Sequence, residues 1–211
     1  MKRVTAFVGS ARKKYTYDAV RQFLDDLKAL GDVECEIVTL SDYRIETCRG
    51  CQLCFEKGEE FCPLKDDRDV LFEKVRVSDG VVLASPNYSF QVSAIMKIFL
   101  DRFGFAFHRP RYFGKTSTSI VAQGIYGGNK LVRYLDFVGK GLGFNTVKGA
   151  RSGRHEAGAS LPLDLVLNVA VSGILTGLVY GLMALCCIRL PCSRPSRRIF
   201  RCGFSILAGP R

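Results

Sequence analysis

The chain opens Met1-Lys2-Arg3-Val4-Thr5-Ala6-Phe7-Val8-Gly9, with no apolar run of signal-peptide length and no small-residue cleavage site. The expectation is a cytoplasmic chain, not exported by that route, whose cysteines meet a reducing compartment. A second lack concerns charge. The formal net charge is +11, yet residues 1–150 contain no basic stripe interleaved with aromatics, so nucleic acid is not an expected partner. The excess sits disproportionately in the tail, where residues 151–211 hold 8 Lys and Arg against 2 Asp and Glu, compared with 23 against 18 in residues 1–150. At 47% hydrophobic and 24% charged, 211 residues read as one globular domain with a full core.

Up to about residue 150 the pattern alternates short β-branched runs with longer segments of helical period. Strands are expected at 3–8, 33–40, 80–84, 117–122 and 144–148, and helices at 17–30, 67–75, 92–103 and 129–139. In the first helix Val20, Phe23, Leu24 and Leu27 form one stripe. Five strands with intervening helices predict an α/β fold, a flavodoxin-like three-layer sandwich around a five-stranded parallel sheet. Ligands of such sheets sit beyond the carboxyl ends of the strands.

That pattern stops after residue 150. Residues 151–164 read as a linker, and 165–188 run without a charge, long enough to span a bilayer. Six arginines (Arg189, Arg194, Arg197, Arg198, Arg201 and Arg211) and no acid follow, which would hold that end on the cytoplasmic side. Membrane contact through 165–188 and burial of the same segment as a last domain helix are both open readings.

Three loops at the expected carboxyl edge carry ligand-compatible residues. The first strand runs into Gly9-Ser10-Ala11-Arg12-Lys13-Lys14-Tyr15-Thr16, which is neither a Walker A sequence nor a dinucleotide G-x-G-x-x-G. Backbone N–H groups at a helix N-terminus, the Ser10 and Thr16 hydroxyls and the Arg12 charge suit a phosphate; plain capping is the alternative. After the third strand, Ser85-Pro86-Asn87-Tyr88-Ser89-Phe90 offers a Pro-fixed turn, an amide and flat apolar faces for a planar heterocycle. After the fourth, Gln123-Gly124-Ile125-Tyr126-Gly127-Gly128-Asn129 allows close backbone approach.

Four of the nine cysteines fall at Cys48, Cys51, Cys54 and Cys62. Spacing of three is one turn of tight helix, which gathers the first three sulfurs, and Gly58 lets the chain fold back to bring in Cys62. Four thiolates closing on one point suit a [4Fe-4S] cluster. Zinc competes, although its four-cysteine sites more often pair two distant knuckles, and a loop of bare thiols remains a third reading. Cys35 alternates with Val33 and Ile37 and reads as a small core residue. His108, Arg109 and Arg111 form a basic loop with two readings, one facing a flavin or dinucleotide and one solvated.

Gly9-Ser10-x-Arg12 with Thr16, then Ser85-Pro86-x-Tyr88 ahead of Ser93-x-x-x-Lys97-x-x-x-Asp101-Arg102, with the cysteine run between them, resembles the NAD(P)H-dependent FMN reductases and their iron-sulfur flavoprotein branch over residues 2–150. The resemblance implies non-covalent FMN, NAD(P)H as substrate and an oxidoreductase activity. It further implies an electron-acceptor protein or small molecule and a homodimer or homotetramer. It implies that Ser10, Arg12 and Thr16 hold the FMN phosphate, that Pro86, Asn87, Tyr88 and Ser89 line the isoalloxazine, and that Gly124 and Gly127 close its far side. The cysteine set would hold the cluster. Family members often carry Gly-Asn before the threonine, where this chain has Lys14-Tyr15. Residues 165–185 resemble a membrane segment of branched-chain amino-acid ABC permeases, so a tail acquired by fusion or frameshift, and with it an inactive product, stands as one alternative. A non-enzymatic electron carrier or metal-binding module is another.

Overall fold

The computed structural model describes residues 1–124 and 126–153. The rest of the linker, the hydrophobic segment 165–188 and the basic tail lie outside them, and with these the expected membrane contact and permease resemblance. Among the described residues no helix is long and apolar enough to cross a membrane.

Side-chain alternation in the first strand sets up the layers. In β1 (Lys2–Val8), Val4, Ala6 and Val8 join one buried cluster and Phe7 joins another, because successive Cβ atoms point to opposite sheet faces. The first cluster is completed by α1 (Tyr15–Leu30), whose Val20, Phe23, Leu24 and Leu27 are all buried, as the stripe predicts. On the opposite face Phe7, Leu83 and Val121 meet α3 (Arg68–Val77), α4 (Ala94–Arg102), α5 (Gly104–His108) and α6 (Gly128–Gly141).

The strands β2 (Val33–Thr39), β1, β3 (Gly80–Pro86), β4 (Thr116–Gln123) and β5 (Asn145–Thr146) lie in the order 2-1-3-4-5, every pair parallel. This is the doubly wound order of flavodoxin-like sheets. Cys35, on the edge strand β2, is half-buried against the α1 cluster.

The expected last strand, 144–148, is divided. Thr116 and Ser117 pair with Asn145 and Thr146, whereas Ile120 to Gln123 pair with β6 (Ala150–Gly153), one residue further along. A residue inserted in this way is a β-bulge. Asp136 of α6 holds it, accepting from the Ser119 hydroxyl at 2.8 Å and the Gly149 N–H at 3.2 Å. A Cβ on Gly149 would sit 2.5 Å from the Ser119 carbonyl oxygen, so the bulge requires glycine.

Candidate functional site at the carboxyl edge of the sheet

The loops after β1, β3 and β4 meet, and the joints between them are specific. At the β1 loop, Ser10 and Thr16 are buried, and the Ser10 hydroxyl donates to the Arg12 carbonyl at 3.1 Å. Helix α1 starts at Tyr15, two residues before its predicted start, and no side chain caps its N-terminus. Its first N–H groups carry the positive end of the helix dipole, which suits an anion. Arg12 is exposed, and its Nη2 reaches the Tyr88 hydroxyl at 3.4 Å, joining the first loop to the second.

Pro86 differs from its expected role. It is the buried last residue of β3, in register with Ala122, and the turn comes later. Tyr88 and Gln91 exchange backbone hydrogen bonds at 3.0 and 2.9 Å around Ser89 and Phe90. Both turn residues have positive φ, 50° and 63°, without being glycine. Such conformations are strained and persist where surrounding contacts hold them, which is common at ligand sites. The turn leaves the residues Tyr88 and Phe90 roughly half exposed, at 48% and 54%.

Asn87 joins the second loop to the third. Its backbone N–H donates to the Ala122 carbonyl at 2.8 Å and its Nδ2 to the Tyr126 carbonyl at 2.9 Å. Its Oδ1 is buried without a partner. A buried acceptor left open costs about 1–3 kcal/mol, a cost removed when a donor arrives. In the third loop Gly127 has φ 93°, and a Cβ there would lie 2.9 Å from the Phe90 ring. Phe90 and Tyr126 lie ring to ring at 5.4 Å. Gly124 has open space where a Cβ would be. The edge thus brings together Ser10, Arg12, Thr16, Asn87, Tyr88, Ser89 and Gly127. Tyr126 is a member that the sequence reading passed over, although an aromatic between glycines at a strand end was the available signal.

The cysteine loop departs from the expected geometry. Residues 48–52 form no tight helix, since Gly50 and Gln52 adopt left-handed φ of 64° and 61°; the helical parts of the loop are α2 (Leu53–Glu56) and a 3-10 turn at Glu59–Phe61. Gly58, at φ 128°, does turn the chain back toward Cys62. All four thiols are free, Cys48 and Cys51 exposed, Cys54 and Cys62 half-buried. Burial pushes the Cys54 thiol above its ordinary range, and Cys48, Cys51 and Cys62 are near enough to push the same way. Among the described residues no three ligating side chains are gathered closely enough to hold a metal. The donor set fits an iron-sulfur cluster in chemistry, and its side chains are not drawn into a closed ligand shell.

His108 and Arg111 face this loop. His108 packs edge-on against Phe55 at 4.8 Å, and Arg111 pairs with Glu59 at 2.7 Å, so Arg111 is engaged rather than free for a dinucleotide phosphate. Helix α4 links the two regions. Its N-cap Ser93 accepts from the Met96 N–H and donates to the Gly9 carbonyl, while Arg102 at its other end reaches Cys62. Nine residues of helix separate these ends by about 13 Å.

A parallel sheet in the order 2-1-3-4-5 with three joined loops at its carboxyl edge defines an α/β protein of the flavodoxin-like class. The chain belongs to the NADPH-dependent FMN reductase family, whose profile matches residues 2–158. An iron-sulfur flavoprotein of Archaeoglobus fulgidus is 39% identical over 145 residues, covering 67% of this chain and 64% of the relative. A second from the same organism is 28% identical over 181 residues, covering 85% and 81%. One from Methanocaldococcus jannaschii is 37% identical over 101 residues, covering 47% and 51%. The chain therefore spans less than two thirds of the first and third of these relatives. Among solved structures, RosB with a bound riboflavin-phosphate intermediate superposes with TM-score 0.70 at 13% identity, covering 99% of this chain and 100% of that one. The apo NADH:FMN oxidoreductase EMOB gives 0.58 at 16% identity, covering 85% and 90%. At such identities they show the fold.

Proposed function

We propose that the chain is an NAD(P)H-dependent FMN oxidoreductase of the iron-sulfur flavoprotein type, with FMN at the three joined loops and a cluster on Cys48, Cys51, Cys54 and Cys62. The observation that carries the flavin half is Asn87, whose buried Oδ1 has no partner beside a glycine cradle. An isoalloxazine edge supplies the missing N–H donor. The α1 N-terminus with Ser10, Thr16 and Arg12 attracts the phosphate, Tyr88 and Phe90 shield the ring from water, and Gly127 lets the backbone approach. When bound, FMN takes electrons in pairs from a nicotinamide and releases them singly, and the protein's share is placement and tuning. The acceptor is a protein or small molecule reached from the exposed Tyr88, Phe90 and Tyr126, and a homodimer or homotetramer is the assembly the family resemblance implies.

The ungrouped thiols favour one second reading, a flavin-only reductase or carrier whose cysteine loop holds no iron. Titration of the purified apoprotein with FMN, followed by NADPH or NADH under nitrogen, tests the main reading. It predicts saturable flavin binding and bleaching of the flavin band by reduced nicotinamide. Absence of both overturns it, and flavin binding without bleaching leaves the carrier.

A further inference from the structure

Three arginine side chains grip the loop that carries the cysteines. Arg111 pairs with the Glu59 carboxylate, and Arg68 donates to the Glu59 carbonyl at 2.8 Å. Arg102 does more. Its ion pair with Asp66 is sealed from solvent, with side-chain exposures of 2% and 0%. Nη1 donates to the Glu46 carbonyl at 2.8 Å and to Asp66 Oδ2 at 2.6 Å. Nη2 donates to Asp66 Oδ1 at 3.1 Å and lies 3.7 Å from the Cys62 sulfur. Asp66 in turn accepts from the Glu46 N–H at 2.7 Å and the Arg68 N–H at 3.2 Å. One guanidinium therefore ties both limbs of the loop's neck together and touches one thiol within it.

We propose that Arg102 is the positioning residue of the cysteine loop. From the end of α4 it closes the neck and aims Cys62, so that metal capture depends on α4 as well as on the thiols. The consequence for metal rests on the iron-sulfur reading above; the closure of the neck does not. Only a planar fork of five donors serves a carboxylate twice and still has hydrogens for a carbonyl and a sulfur, which a lysine ammonium cannot do in this geometry. The flavin loops meet the opposite end of α4, through Ser93 and Gly9, so loss of Arg102 acts on the cysteine loop and leaves FMN binding intact.

The test uses the full chain as R102K and as the double variant R102Q/D66N, which neutralises both partners and leaves no lone charge buried. In the metal-free protein, hydrogen exchange of amides 46–68 is expected to quicken about tenfold in both variants, while amides of β1, β3 and β4 keep native protection. After anaerobic reconstitution with ferrous iron and sulfide, both variants are expected to hold less iron per chain at unchanged FMN content. The fraction of the double variant that loads is expected to have a lower reduction potential. Its net charge is unaltered, and a lost N–H donor to sulfur disfavours the more negative reduced state. Native exchange of the loop in both variants overturns the proposal whether or not the parent protein takes up iron. Accelerated exchange with native iron content and native potential overturns the assignment of Arg102 to Cys62. A parent protein that takes up no iron defeats the iron-sulfur reading, and the exchange result then decides the role of Arg102.

Discussion

Asn87 places one amide group on the Tyr126 carbonyl and leaves the other buried and open. N87A removes both the strut and the acceptor, and the loss of one such hydrogen bond corresponds to about tenfold weaker FMN binding by fluorescence titration. Binding at native affinity would remove Asn87 from the site. Gly127 gives a second expectation, because alanine there is strained by its φ of 93° and meets the Phe90 ring. G127A should lower the urea-unfolding free energy by about 1–2 kcal/mol. Arg12, Asn87 and Tyr88 were legible in the sequence because a strand end fixes where its loop must lie. The neck contact between Asp66 and Arg102 was not, since 36 positions separate the partners and neither belongs to a spacing motif that names the other.

Helix α4 is the element that both regions share. Its N-cap Ser93 accepts from the Met96 N–H, donates to the Gly9 carbonyl and is itself held by the Ser85 hydroxyl, which accepts from the Ser93 N–H at 3.0 Å. S93A is expected to cost about 1 kcal/mol of stability, read by thermal unfolding, and to loosen FMN phosphate binding because Gly9 is released. The other end answers to pH. Burial raises the Asp66 carboxyl, but the Glu46 N–H, the Arg102 guanidinium and the Arg68 N–H outweigh it and hold the group below the ordinary 3.8. A carboxyl depressed on folding contributes stability above its unfolded pKa, and that stability is lost as pH falls through the folded value. The urea midpoint should therefore fall on acidification below about pH 4, and D66N should flatten that limb of the profile. At this scale the helices α1 and α6 and the buried strands followed from period and β-branching. The bulge between β5 and β6 did not, because it depends on Asp136 reaching Ser119 and Gly149 from another element.

For the whole molecule, the strand order 2-1-3-4-5 sets β1, β3 and β4 side by side, so three loops distant in sequence converge on one edge. The cysteine loop is held by Arg68 of α3, Arg102 of α4 and Arg111 of the segment after α5. Helix α4 reaches both regions, with Ser93 on Gly9 at one end and Arg102 on Cys62 at the other. FMN at the edge and an iron-sulfur cluster in the loop together make up the proposed redox centre. It is tested most directly by one anaerobic absorption spectrum, with flavin, iron, sulfide and zinc quantified on the same reconstituted sample. The expected result is one FMN and about four irons per chain, with the flavin bands riding on a broad cluster absorption. A sample that binds neither flavin nor iron, or that holds zinc in place of iron, contradicts it.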